Sequence, residues 1–433
     1  VDDRLRRRLA LWQALTLTLL IVGYAGYYLC RSNFSVTLPM IIAEMARNGT
    51  APSALRIQFG TIASFGVLAY AIGKFPSGGL ADFLGGRRNF LAGMGLAVLC
   101  TLLFASGRSM SVFGVAWVLN RLVQSLGWAG MVKVTSKWFS YRRYGTAMGL
   151  VSLSYLFGDA VARQFLAALI GWRLSWREVF VVSAAVLGAI FVLCVLFLRE
   201  SPKQLGAAEP EANPANLFGK DGNRPAPENI KTLLRPLLRS RIFWTVCVLS
   251  LGTTLVRETF GLWTPTYFVQ AAGLTTAEAA ARSALFPLLG GVSVIVCGWL
   301  SDRIGGRGRA AVTFFGLALA GAVLLCLGLG SFAGSRTWPV VLVSLVAFLV
   351  IGPYSFLAGA IALDFGGKQG AATASGMIDG VGYLGGFLSG DAVARVSVAF
   401  GWGGVFIALA VVAFLTAAAA AVFWAQEAPA LPD

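Results

Sequence analysis

The chain contains no histidine, and only 19 of its 433 residues are acidic. Without imidazole, neither a Ser–His or Cys–His nucleophile pair nor a His-ligated metal can be built. Charged residues of both signs together make up 12% of the sequence, against about 25% in soluble proteins. That scarcity excludes a string of soluble domains. The six cysteines (Cys30, Cys100, Cys194, Cys247, Cys297, Cys326) show no metal-ligand spacing and read as small packing residues. There is no Walker loop, so neither an enzyme nor a cofactor is expected.

Apolar residues are abundant instead, at 57%. They form long runs over 89–107, 179–198, 310–330 and 404–425, each long enough to cross a bilayer core as a helix. Counting such segments from 11–41 to 401–425 gives twelve spans. The first is too long for a cleaved leader and is expected to remain as an anchor. The net charge of +16 could suggest nucleic acid, but its distribution argues against that. Basic clusters fall at alternate ends of the spans: Arg4/Arg6/Arg7/Arg8, Arg87/Arg88, Lys133/Lys137/Arg142/Arg143, the 199–241 segment and Arg303/Arg307/Arg309. Such an asymmetry places both termini in the cytoplasm of a multi-pass inner-membrane protein. Lipid is therefore the expected surround, not nucleic acid, and the chain is expected to be a monomer.

A stretch rich in proline, glycine and charge follows the sixth span. It divides the chain into a six-helix bundle (1–198), a cytoplasmic linker (199–240) and a second six-helix bundle (241–433). The halves repeat each other. Gly78, Asp82, Gly85, Gly86 and Arg87 return as Gly298, Asp302, Gly305, Gly306 and Arg307; Arg31, Phe34 and Pro39 return as Arg257, Phe260 and Pro265. The hexapeptide 158–163 returns unchanged at 390–395. Repeated membrane halves place a transport site at the midplane between them. The Gly-x-x-x-Asp-x-x-Gly-Gly-Arg loops resemble the cytoplasmic loop signature of the major facilitator superfamily. On them Asp82, Arg87, Asp302 and Arg307 read as gating residues or, equally, as structural braces.

Each ionisable residue at bilayer depth costs about 2.5–3.5 kcal/mol on insertion scales and so needs a partner or a purpose. Arg31 has Tyr24, Tyr27 and Phe34 at helical spacing, Arg257 is its repeat partner, and Lys74 lies one turn from Tyr70. Two guanidiniums, an ammonium and tyrosine hydroxyls form a receptor suited to a phosphoryl dianion. Glu258 is offset from Arg257 by about 100° around the helix and is not expected to engage it. Asp159/Arg163 and Asp391/Arg395 are i,i+4 pairs. They read either as self-satisfied ion pairs or as contacts to the organic part of a substrate.

Together Tyr24-x-x-Tyr27-Tyr28-x-x-Arg31-x-Asn33-Phe34, Lys74-Phe75-x-x-Gly78, Gly127-Trp128 and Trp263-x-Pro265-x-Tyr267 resemble the organophosphate:phosphate antiporters of the major facilitator superfamily. The resemblance implies an all-α membrane protein of twelve transmembrane helices in two pseudo-symmetric six-helix bundles. It further implies exchange of an organic phosphate for inorganic phosphate. Arg31 and Arg257 would bind phosphate, supported by Lys74, Tyr27, Tyr24, Tyr70 and Trp128, with Asp159 and Asp391 toward the organic part. The chain departs from the family pattern in lacking a fifth-span histidine and in carrying Ser32 and Leu262 where charged residues are familiar. The organic substrate stays open, as do a proton-coupled symporter and a membrane sensor of sugar phosphates.

Overall fold

A computed structural model describes residues 3–47, 49–139, 141–208, 238–304, 307–330, 335–361 and 376–426. The described residues are helical with no strand. Backbone polar groups in lipid must be satisfied within their own segment, and a helix does this along an apolar run. The helices are α1 (Asp3–Arg47), α2 (Pro52–Leu84), α3 (Gly86–Ser106), α4 (Met110–Trp138), α5 (Tyr141–Gly171) and α6 (Trp176–Phe197). After the linker come α7 (Arg241–Gln270), α8 (Thr276–Ser283), α9 (Leu285–Ile304), α10 (Gly308–Leu329) and α11 (Trp338–Phe356). A π turn, Leu357–Ile361, extends α11, and α12 (376–388) leads into α13 (Asp391–Gln426). Polar caps start several of them. Ser175 and Thr275 form capping boxes with Glu178 and Glu278, while Ser109 and Ser240 accept from the backbones of Val112 and Phe243.

Nine described stretches are long and apolar enough to cross a membrane. α4 and α7 match them in length, at 29 and 30 residues, but are diluted by buried polar groups. The stretch Gly376–Gln426 counts as one of the nine, yet it bends at Gly401, where φ is +69° and ψ is −175°. Glycine takes that conformation without a Cβ clash. Splitting the stretch there and adding α4 and α7 gives twelve spans among the described residues. Outward faces are apolar: α6 exposes Val192, Leu193, Leu196 and Phe197.

The chain folds as two compact units. One comprises Val1–Met40 and Phe65–Asn213, the other Ile41–Ser64 and Pro214–Asp433. The end of α1 and the start of α2 thus group with the second unit, a division the expected bundle limits did not contain. Most of the expected linker lies outside the described residues. In the first unit α3 packs on α4 and α6 around Tyr27, Phe90, Met94, Trp138 and Leu187. In the second, α10 packs on α13 and α11, and Phe243, Val246, Phe356, Ile378 and Phe423 share a core. The repeated phenylalanines anchor both units. Phe34 stacks on Trp117 at 4.3 Å, and Phe260 stacks on both Phe286 and Phe406. Each lies three residues beyond a repeated arginine, so burying it fixes which way that arginine faces.

The repeated hexapeptide makes the same kinds of contact in both copies. Asp159 on α5 accepts the Ser32 hydroxyl of α1 and binds Arg163 Nε at 3.1 Å. Asp391 on α13 accepts from Thr61 of α2 at 2.6 Å and binds Arg395 Nε at 2.8 Å. The preceding glycines allow close approach. A Cβ on Gly158 would press on the Ala25 backbone, and one on Gly390 would collide with the carbonyl oxygen of Gly60.

Two stability outcomes follow from this packing. Gly390→Ala forces α13 from α2 and should destabilise by about 1–3 kcal/mol. Gly188→Ala, with open space around it, should be neutral or stabilising by up to about 1 kcal/mol. Unfolding midpoints in one detergent check this, and equal shifts would contradict it. The two ion pairs should also differ. Arg163 is only 4% exposed, whereas Arg395 is 63% exposed. Asp159→Ala removes a carboxylate from a buried guanidinium and should therefore cost about 1–3 kcal/mol. Asp391→Ala should cost far less, its exposed pair contributing about 0–1 kcal/mol.

Candidate functional site

In the first unit the site is organised by one aromatic ring. Tyr70, on α2, is buried. The Arg31 guanidinium of α1 sits 4.5 Å from its ring centroid, and the Lys74 ammonium, one turn along α2, sits 5.1 Å away. Cations over an aromatic face are held by its quadrupole, more strongly where water is excluded. Arg31 also lies 5.0 Å from the Tyr28 ring and donates to its hydroxyl at 3.1 Å. Tyr24 packs beside this group, 6.0 Å from Tyr28 and 5.6 Å from Trp128 of α4. The structure thus brings together Arg31, Lys74 and Tyr70, with Tyr24 and Trp128 adjoining.

Tyr27 packs against α3. Its hydroxyl donates to the Phe90 carbonyl at 2.6 Å, and its ring meets Phe90 and lies against Gly93 and Gly127. Its single proton is committed to α3, so in this conformation Tyr27 ties α1 to α3 and has no proton to give a ligand. Asp159 and Asp391 hold the hydroxyls and arginines described above.

In the second unit Arg257 repeats the device with different partners. Its guanidinium lies 4.6 Å from the Tyr354 ring and 5.8 Å from the Tyr383 ring, and it donates to the Tyr383 hydroxyl at 3.4 Å. Gly382 and Gly385 let α12 lie against Ser250, Leu251 and Thr254 of α7, which sets Tyr383 beside Arg257. The Tyr354 hydroxyl donates to Asp379 at 3.3 Å. The expectation about Glu258 is corrected. Its Oε1 lies 2.6 Å from Arg257 Nη2. A 100° offset separates the Cα–Cβ bonds, but two long side chains bend across it where each is only 19% exposed.

Two of the loop arginines are described. Arg87 donates to the carbonyls of Leu198 and Val195 at 2.6 Å each, binding the end of α6. Glu200 accepts from the backbones of Gly86 and Arg87 at the α3 N-terminus and from Lys137 at 2.6 Å. Arg307 is exposed at the start of α10. The side chains of Asp82 and Asp302 lie outside the described residues.

Sequence reasoning overlooked five residues of these clusters: Arg121, Glu200, Tyr354, Asp379 and Tyr383. Arg121 carries a visible signal, being an arginine in the middle of an apolar span with Asn120, Gln124 and Ser125 around it. Its guanidinium lies 4.7 Å from the same Tyr70 centroid.

Comparison with known proteins agrees with this architecture. Residues 20–390 match the Major Facilitator Superfamily. The chain is 27% identical to the glycerol-3-phosphate transporter of Bacillus subtilis (strain 168), over 90% of this chain and 87% of that protein. It is 25% identical to a probable hexose phosphate transport protein of Chlamydia pneumoniae, over 94% and 91%. It is 26% identical to the membrane sensor protein UhpC of Escherichia coli (strain K12), over 94% and 91%. Among solved structures, a bacterial homolog of the human lysosomal transporter Spinster, inward-facing and unoccupied, superposes with a TM-score of 0.77 at 16% identity. It covers 96% of this chain and 98% of that one. The twelve-helix fold, the repeated loops and these relatives converge: the chain belongs to the major facilitator superfamily, a family of membrane transporters and not of enzymes, and its relatives match the organophosphate:phosphate antiporter branch.

Proposed function

We propose that the protein exchanges an organic phosphate for inorganic phosphate by alternating access. In this reading Arg31, Lys74 and Arg257 bind the phosphoryl group, and Tyr24, Tyr70 and Trp128 line the site. The observation that carries it is the repeated guanidinium over tyrosine, Arg31 on Tyr70 at 4.5 Å and Arg257 on Tyr354 at 4.6 Å. A guanidinium over an aromatic ring is held by the ring's quadrupole, and its planar fork matches phosphate bidentately once it turns from its present partners to the ligand. The activities of the glycerol-phosphate and hexose-phosphate relatives support the same substrate class. The loop charges support an inner-membrane orientation with both termini cytoplasmic. The bundles 1–198 and 241–433 would be the moving bodies, joined by 199–240.

Exchange follows from electrostatics. An empty cationic site resists closing because its charges repel once water is excluded. A bound phosphate removes that repulsion on either side of the membrane. Two other readings make different demands. Proton coupling would use Glu258, whose protonation releases Arg257. A sensor, as the UhpC relative is described, would bind without transporting.

Proteoliposomes separate these readings. Labelled phosphate should enter only vesicles loaded with phosphate or an organophosphate. Accumulation in phosphate-free vesicles driven by an inward proton gradient would decide for symport, and binding without counterflow would decide for a sensor. Arg31→Lys and Arg257→Lys keep the charge but lose the fork. Each should weaken phosphate exchange by roughly tenfold to a hundredfold, the equivalent of about 1.5–3 kcal/mol for a charge-assisted hydrogen bond. Unchanged exchange in either variant would remove that arginine from the site.

A further inference from the structure

The two copies of the Gly-Asp-Ala-Val-Ala-Arg hexapeptide differ in whose helix they hold. Asp159 binds the Ser32 hydroxyl of α1, a helix of its own sequence half. Asp391 binds Thr61 of α2, which belongs by sequence to the other half. Thr61 is one contact of a longer seam inside the second compact unit, where the start of α2 meets α7 and α13. α12 and α13 are joined by a turn at Ser389 and Gly390, and a turn inside an apolar span leaves backbone groups that need partners. Neighbouring helices supply them. Ser64 of α2 donates to the Phe387 carbonyl and accepts from the Asp391 backbone at 2.9 Å, and Trp263 of α7 donates to the Ser389 carbonyl at 2.8 Å. Gly60 lets α2 come this close: an added Cβ would lie 2.8 Å from the Gly390 carbonyl oxygen and 2.7 Å from the Ala394 Cβ. One turn before Gly60, Arg56 closes the end of the seam. Its guanidinium donates to Gln270 of α7 at 2.7 Å and to Ser397 of α13 at 3.2 Å, and Trp402 donates to the same Gln270 oxygen at 3.1 Å.

In the exchange reading above, the sequence halves 1–198 and 241–433 move against each other. Asp159 and Ser32 then travel together, while every contact of Arg56, Thr61 and Ser64 with α7 and α13 has to part once per cycle. The chemistry of the seam allows that. Its polar contacts are hydroxyl, amide and guanidinium groups, which water satisfies when the helices separate, and Gly60 and Gly390 make its closest approach. With the basic clusters marking the cytoplasmic side, the α1–α2 connection beside Arg56 lies on the opposite face. We propose that this seam is the extracytoplasmic gate of the transporter, closed in this structure, and that Arg56 is its latch. The clasp on Gln270 and Ser397 holds the gate shut, and Thr61 and Ser64 complete the α12–α13 turn only in the closed state. The proposal rests on the alternating-access reading and adds to it the residues that set the balance between the two states.

Amide hydrogen exchange on the purified full chain in detergent, followed by peptide mass, tests this. The Asp391 amide is bonded to Ser64 across the seam, so its exchange reports opening. Arg56→Gln removes a charge-assisted clasp and should raise exchange of segments 56–64 and 387–395 together, by roughly tenfold. Arg56→Lys keeps the charge without the fork and should fall between the two. Segment 310–329 of α10, in the same unit, should keep its protection, which separates gate opening from a general loss of stability. Saturating inorganic phosphate should raise exchange of the same two seam segments in the unsubstituted chain, because a bound anion lets the protein pass between its states. Exchange at the seam that is the same in Arg56→Gln and the unsubstituted chain overturns the proposal. So does an increase that spreads equally to 310–329, which would make Arg56 a general brace. If phosphate protects the segment around Arg31 and leaves the seam unchanged, the phosphate reading stands and the gate proposal falls. If phosphate alters neither segment, the phosphate reading fails, and the Arg56 variants decide the gate by themselves.

Discussion

A guanidinium at bilayer depth must be compensated locally or it drives its helix out of the membrane, at about 2.5–3.5 kcal/mol on insertion scales. Arg31 meets that demand through the face of Tyr70 and the edge of Tyr28. Much of the first unit serves this arrangement. Phe34 is buried on Trp117 three residues further on and sets the rotation of α1. Tyr27 ties the same helix to α3 through Phe90. Gln124 bonds the carbonyl of Cys30 and fixes α1 at the turn that carries Arg31. Aromatic faces stabilise the guanidinium through the ring quadrupole and leave its charge in place.

The second unit shows how a duplicated device diverges while its framework persists. Arg257 keeps its place and its following phenylalanine, and lies against tyrosine rings drawn from other helices. It acquires Glu258 directly and Asp379 through Tyr354. In the first unit, by comparison, three cations share one ring. The repeated Asp–Arg hexapeptides diverge less. Each binds a hydroxyl on a neighbouring helix, and they differ mainly in burial of the arginine.

The all-helical membrane fold was legible because long apolar runs and loop charges are direct physical requirements of a bilayer. Arg31, Lys74 and Tyr70 were legible for a related reason: i,i+4 spacing on one helix and internal repetition are visible in one dimension. What escaped depends on tertiary placement. Glu258 pairs Arg257 by side-chain bending that helical-wheel geometry does not represent. Arg121 reaches Tyr70 only because Gly66 and Gly73 admit α4. Glu200 caps α3 from 114 residues away, and no periodicity encodes such a contact. The grouping of 41–64 with the second unit likewise reflects packing of α2 on α13 through Gly60 and Gly390, which apolar runs do not specify.

The account stands on a phosphoryl-type anion binding at the Tyr70-centred cations. Tungstate has the tetrahedral dianionic form of phosphate and scatters X-rays anomalously. The most direct measurement is the anomalous map of crystals grown with it. The account predicts a peak within hydrogen-bonding distance of the Arg31 guanidinium, beside Lys74, lost on competition with inorganic phosphate. A map with its strong peaks only at the loop arginines, such as Arg87 and Arg307, and none beside Arg31 would contradict it.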